Sequence, residues 1–490
     1  MADRQWRAQG LAVIAVAMAL TGGFTTLARA DDDDRRRPDV AQMHSARNDS
    51  GVAVTISTNG FIDRRNPFFR ELGSNGRSCV TCHQPAEGWS VTPKGLRERF
   101  ESTRGTDPVF RLNDGANSPH ADVSTRAARQ RAYGMLLTKG LIRVGMPIPA
   151  GAQFELVAVD DPYRFASAAE LSLFRRPLPS TNLRFLNTVM WDGRETYGDA
   201  ASTDCIFNTT TCFAPLHFNL ATQVNDATVG HAQASAPLDA AQRDAIVDFE
   251  LGLFTAQQLD DDAGRLSVHG ARGGPAFLAG VTSYFGINDT LVGDYRTHAS
   301  FTPNAMTLFQ GWQSFIEDAR SREPEGRSRR VAVARQAIAR GQALFNGKPI
   351  AITGVKGLND DLGVALIQGT CTTCHNSPNA GNHSTPLPLD IGLADASRRT
   401  PDLPLYTLRN RLTGETTRTT DPGRALVTGR WQDIGRFKGP TLRGLAPRAP
   451  YFHNGSAKDL DEVVRFYNDR FRIGFTEQER EDMVAFLKAL

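Results

Sequence analysis

Two short runs, Cys79-Val80-Thr81-Cys82-His83 and Cys371-Thr372-Thr373-Cys374-His375, place paired thiols and an imidazole in the same order. Thiols one helical turn apart can add to the two vinyl groups of a haem, and the next residue turns its imidazole onto the iron. Each run is therefore expected to carry one covalently bound haem c, two in all. Cys79, Cys82, Cys371 and Cys374 are the attachment points, and His83 and His375 the iron ligands. Zinc is the competing reading of paired cysteines, but it takes four ligands, and neither run has a second pair close by. His120, Met135 and Met146 are available as second ligands to the first iron, although each also reads as an ordinary loop or core residue.

The compartment suits that chemistry. Residues 1–30 contain Arg4 and Arg7, an apolar run from Leu11 to Leu20, and Ala28-Arg29-Ala30, the pattern of a cleaved secretory signal. The apolar run is too short to span a bilayer, and no later stretch is long enough, so a periplasmic protein with no membrane span is expected. Loss of the leader lowers the formal charge from +3 to +1, which gives no reason to expect a nucleic-acid partner. Asp31 to Asp34 followed by Arg35 to Arg37 reads as a solvated terminus. Cys205 and Cys212, left over from the haem runs, are expected to form a disulfide in an oxidising compartment.

The elements that must hold these residues follow from periodicity. With one haem run per half, the chain reads as mainly α: two cytochrome c-like haem domains with long loops and an insertion between them. The boundaries are a leader at 1–30, an N-terminal extension at 31–75, a first haem domain at 76–255, an insertion and connector at 256–330, and a second haem domain at 331–490. Val52, Val54 and Ile56 alternate as a short strand, and Gln84 to Thr125, rich in Gly, Pro, Asn and Asp, reads as loop. Helices are expected at 126–142, from Asp239 to Phe254 with a capping box at Asp239 and Gln242, from about Ala334 to Phe345, and at the C-terminus behind Thr476 and Glu479.

With these pieces placed, the chain resembles the bacterial di-haem cytochrome c peroxidase and MauG family. The resemblance rests on the two haem runs, on Trp191-Asp192-Gly193-Arg194, on Phe437-Lys438-Gly439-Pro440-Thr441-Leu442-Arg443, and on Pro450-Tyr451-Phe452-His453-Asn454-Gly455. It implies that the haem at His83 meets hydrogen peroxide, that the haem at His375 relays electrons, and that Trp191 bridges them. The relay haem's sixth ligand is methionine in the peroxidases and tyrosine in MauG; counted from Pro450, that position falls on Tyr467, with Met483 on the last helix as the alternative. A phenolate is a hard donor that favours Fe(III), so this haem is expected to have a low potential.

The reactive pocket departs from the family pattern. Gln223 takes the place of a family glutamine, but the position of the catalytic glutamate falls on Gln233. Peroxide cleavage needs a proton carrier, and His231, Asp226 and Glu195 are the nearby candidates, His231 first because imidazole titrates near neutrality. No histidine lies between His83 and His120 to block the first iron, so that iron is expected to be open at rest. Family members also hold calcium between the domains, through an asparagine before the tryptophan and a threonine before the proline. Those positions are here Arg176 or Pro177 and Arg448, so the usual calcium positions are not matched. Three activities are consistent with these residues: peroxide reduction to water, a MauG-like oxidation of a partner protein, and plain electron transfer. The electron donor, a protein or a small reductant, is not specified by them.

Overall fold

The computed structural model describes residues 40–196, 215–313 and 327–490. The leader and the Cys205–Cys212 pair lie outside those residues.

The architecture is mixed rather than mainly α. Helices surround the two haem runs, but among the described residues five small antiparallel sheets tie the chain together. The sequence hid most of them, because a strand such as Leu171–Arg175 is buried at every position and so shows no alternation. The extension is not peripheral: its strand Gly51–Ser57 pairs with Leu253–Asp260, directly after the helix closing the first half. The hydroxyls of Thr55 and Thr255 meet at 2.8 Å across that pair. A second sheet crosses between halves, with Phe154–Asp160 paired to Leu405–Asn410, which pairs in turn with Thr416–Thr419. Tyr406 locks it by donating to the carbonyl of Ser172 at 2.7 Å and accepting from the Ser172 amide at 2.9 Å.

Three helical expectations also shift. Within the stretch read as loop, Pro93–Thr103 is a helix, opened by Thr92 accepting from the Gly95 amide and packed through Leu96 and Phe100. The helix expected at 126–142 is two short ones, Arg126–Ala132 and Gly134–Lys139, followed by a strand, Ile142–Met146. The helix behind Asp239 ends at Leu251, where Gly252 turns the chain into the sheet; Asp239 caps it by accepting from Gln242, without the reciprocal half of a box.

Among the described residues of the stretch read as insertion and connector, 256–313 and 327–330, several contribute to the core of the second half. Leu266, Met306, Phe309 and Trp312 share one core with Ile338, Phe345, Phe486 and Leu490. Burying each large apolar side chain there contributes roughly 1.5–3 kcal/mol. The core depends on a close crossing of the Arg327–Gly347 helix with the terminal Glu477–Lys488 helix. A Cβ on Gly341 would lie 2.0 Å from the carbonyl oxygen of Asp482, so only glycine allows that approach. Arg340 fastens the crossing with two bonds of 2.7 Å to Asp482, and Thr476 and Glu479 form the expected capping box.

Candidate haem cavity

Both haem runs fold alike. Each is a single 3-10 turn, Cys79–Thr81 and Cys371–Thr373, opened by a reciprocal Ser78/Thr81 or Thr370/Thr373 cap. The histidine amide then bonds back to the first cysteine's carbonyl, His83 to Cys79 at 3.0 Å and His375 to Cys371 at 3.1 Å. His83 Nδ1 lies 3.1 Å from the carbonyl of Trp89 and His375 Nδ1 2.5 Å from that of Gly381. A carbonyl can only accept, so Nδ1 carries the proton and Nε2 is left as the donor for iron. Burial pushes both imidazoles down to about 4, which keeps them neutral and able to ligate at physiological pH.

The histidines and cysteines of both runs line one continuous cavity of about 420 Å³. Its wall holds buried polar atoms that have no hydrogen-bond partner among the described residues: Thr441 Oγ1, Arg443 Nη2, Glu250 Oε2 and both ring nitrogens of His453. Orphaned donors at the wall of an otherwise apolar cavity suit a group that brings its own carboxylates, as haem does. The residues present therefore fit haem c, with Arg443 and Thr441 as donors toward it. Burial pushes the Arg443 guanidinium down to about 9, so it remains charged at neutral pH.

Trp191 stands in the same wall, its indole N–H donating to the carbonyl of Arg176 at 2.8 Å and its own carbonyl accepting from the Lys438 amide at 2.9 Å. The rest of its motif anchors it. Asp192, with no exposed surface, pairs with Arg175 at 2.5 Å and Arg194 at 3.2 Å, and Arg175 also grips Asp421 from the other half. Burial opposes the charge on Asp192, but the Arg175 and Arg194 guanidinia outweigh it and hold the carboxyl at about 2. Gly193 has φ +72, and a Cβ there would strike Arg424, which donates to the Asp192 and Gly193 carbonyls at 3.1 Å each. The motif is thus the seam between the halves. Lys438, buried beside it, donates to the Thr188 carbonyl at 2.9 Å, and desolvation lowers its ammonium to about 7.

Around the first run, the Leu216–Gly230 helix presents Leu220, Gln223, Val224, Ala227 and Thr228 to the cavity, with His231 one turn further at its C-cap. That is one helical stripe, and it brings Gln223 and His231 to the same wall. Gln233 lies past the helix end, exposed and off the wall. Asp226 faces solvent on the opposite side of the helix, and Glu195 is buried but does not reach the cavity, so neither is placed for proton transfer there. None of His120, Met135 and Met146 lines the cavity; His120 packs edge-on against Phe165 instead.

Sequence reasoning missed three groups here. His231 Nδ1 is 2.5 Å from Asp114, whose other oxygen pairs with Arg77 at 2.5 Å. Arg77 is fixed by the carbonyls of Pro108 at 2.7 Å, Val109 at 2.8 Å and His231 at 3.1 Å. Burial opposes ionisation of Asp114, but the His231 hydrogen bond and the Arg77 charge prevail and hold its carboxyl below the usual range. The third group is Glu250, a buried carboxyl that desolvation alone pushes up to about 8. Its one sequence signal was position, four residues after buried Ile246 on the same helix face.

At the second run, Tyr467 on the Leu460–Phe471 helix lines the cavity, and so does Met483. Burial first, then the neighbouring Cys374 and Cys371, push the Tyr467 phenol far above its ordinary value. Its hydroxyl has no hydrogen-bond partner among the described residues, whereas Met483 packs within the terminal-helix core.

Comparison with known proteins agrees with this chemistry. The chain is 36% identical over 153 residues to the cytochrome-c peroxidase IdrP1 of Denitromonas iodatirespirans, covering 26% of this chain and 39% of that one. It is 31% identical over 131 residues to the cytochrome c551 peroxidase of Nitrosomonas europaea, covering 26% and 33%. The matches therefore span about two fifths or less of these relatives' length. A solved MauG-like protein associated with microbial copper homeostasis aligns over 87% of this chain and 86% of its own at 15% identity, with a TM-score of 0.36. No family model matches the chain. The cavity, with a Cys-x-x-Cys-His run at each end, has the donor set of a c-type haem protein. Over about a quarter of its length the chain is similar to proteins named cytochrome c peroxidases.

Proposed function

We propose that the protein is a periplasmic di-haem peroxidase that reduces hydrogen peroxide to two waters, consuming two electrons and two protons. The observation that carries this reading is the single cavity shared by His83, Trp191 and His375. Among the described residues no helix is long and apolar enough to cross a membrane.

Haem c attached at the two runs supplies the redox iron at which peroxide accepts electrons. The protein supplies the rest. His83 and His375, fixed through Nδ1, offer Nε2 as ligand. Gln223 provides an amide to orient the peroxide, and His231, with Nδ1 held by Asp114, keeps Nε2 free to take and return a proton. Trp191, large and polarizable, is held by Arg176 and Lys438 where it can pass oxidising equivalents between the two sites. Tyr467, whose phenol oxygen has no hydrogen-bond partner among the described residues, would help to hold the second haem and would supply a hard oxygen donor there, which favours a second reading, a MauG-like oxidant acting on a partner protein.

Turnover of the holoprotein with hydrogen peroxide and a small reductant, with no protein substrate present, tests the assignment. Steady consumption of both, slowed by Trp191→Phe, is expected; absence of turnover would reject the peroxidase reading in favour of the partner-protein one.

A further inference from the structure

Arg176 is almost wholly buried, and its guanidinium makes no ion pair among the described residues. It is surrounded by backbone carbonyls instead. Nη2 donates to Val91 at 2.7 Å and to Arg448 at 3.1 Å, while Nη1 donates to Gly140 at 3.2 Å and Lys139 at 3.3 Å. Three of these carbonyls come from the first half and the fourth from the second. Converging carbonyl dipoles are the kind of cage that holds a hard cation. Here the cage is already filled by a tethered one. The fit is close: a Cβ on Gly140, whose φ is +61, would lie 2.0 Å from Nη1.

Two positions give the arrangement its meaning. The asparagine that the resembling family offers to calcium falls here at Arg176 or Pro177, and the threonine at Arg448; the Arg448 carbonyl is one of the four that Arg176 takes. The Arg448 guanidinium is turned onto the carbonyls of Gly444 at 2.6 Å and Arg443 at 2.7 Å, adding a second buried positive charge close by. Burial, opposed by the nearby Glu87 carboxyl and aided by Arg448, lowers the Arg176 guanidinium to about 10, so it stays charged at neutral pH. Among the described residues no group of three or more His, Cys, Asp or Glu side chains is placed to hold a metal ion. A divalent cation does not fit this cage.

We propose that the Arg176 guanidinium is a built-in cation at the seam of the two halves, replacing a calcium ion and making their coupling permanent and independent of metal. The same residue sets the bridge between the haem sites. Its carbonyl receives the Trp191 indole N–H at 2.8 Å, and its amide donates to the His453 carbonyl at 2.6 Å. The inference does not depend on which reaction the cavity performs.

Metal analysis of the dialysed holoprotein and its melting temperature in millimolar calcium chloride or EGTA test the proposal. No stoichiometric calcium and the same melting temperature in both solutions are expected. Arg176→Asn, which removes the charge and restores a carboxamide, should melt at least ~5 °C lower and recover part of that loss on addition of calcium. Arg176→Lys, which keeps the charge, should remain indifferent to calcium. Stoichiometric calcium in the unaltered protein, or a melting temperature lowered by EGTA, would overturn the proposal whether or not the asparagine variant folds. A folded Arg176→Asn protein that ignores calcium would overturn it too, by reducing Arg176 to a packing role.

Discussion

Asp114→Asn isolates the proton-handling arrangement at the first haem site. The carboxylate sits 2.5 Å from His231 Nδ1 and 2.5 Å from the Arg77 guanidinium, and 5% of its surface is exposed. A hydrogen bond to a charged group is worth about 1.5–3 kcal/mol. If that energy holds His231 in the working orientation and tautomer, its loss should slow the reaction with peroxide about 10- to 100-fold. Folding should survive, because Arg77 retains the carbonyls of Pro108, Val109 and His231. Stopped-flow mixing of the reduced holoprotein with peroxide measures the rate directly. His231→Ala should lose at least as much, and the double variant should lose no more than His231→Ala alone, since the two residues act as one unit. A wild-type rate in Asp114→Asn, or additive losses in the double variant, would refute the reasoning.

Three further outcomes follow from the same contacts. Tyr467→Met should raise the reduction potential of the second haem in a spectroelectrochemical titration, and an unchanged potential would remove Tyr467 as its ligand. Gly341→Ala should cost about 1–3 kcal/mol by denaturant titration, because its methyl has no room beside the Asp482 backbone. Asp192 should confer acid sensitivity: its carboxyl lies at about 2, below the ordinary 3.8, so its stabilisation is complete above about pH 4 and is lost as pH falls toward 2. The difference amounts to about 2 kcal/mol, and Asp192→Asn should flatten the fall in melting temperature over that window.

What the sequence revealed of this molecule was its local chemistry. The haem runs are legible because attachment needs two thiols and an imidazole within five residues; Gln223 came from a family position and His231 from its imidazole, and the helix that brings both to the cavity was not foreseen. Contacts between distant segments were not legible. Asp114 reaches His231 across more than a hundred residues, and nothing in the spacing of either residue announces it. The strand at Gly51–Ser57 showed its alternation but not its partner, Leu253–Asp260. Residues 256–330 read as an insertion and connector because of their glycines, scattered aromatic residues and basic stretch, and only packing against the terminal helix gives Leu266, Met306, Phe309 and Trp312 a core. The helical estimate failed for a related reason, since strands buried on both faces carry no alternating signal. Arg176 was visible as a departure from a family position, but the four carbonyls that give it meaning lie far apart in the chain.

The electron paramagnetic resonance spectrum of the resting ferric holoprotein tests the central claim most directly. One high-spin iron, held by His83 with its other face open, and one low-spin iron, closed by His375 and Tyr467, are predicted. Two low-spin irons, both closed on each side by protein atoms, would contradict the enzyme assignment and leave an electron carrier.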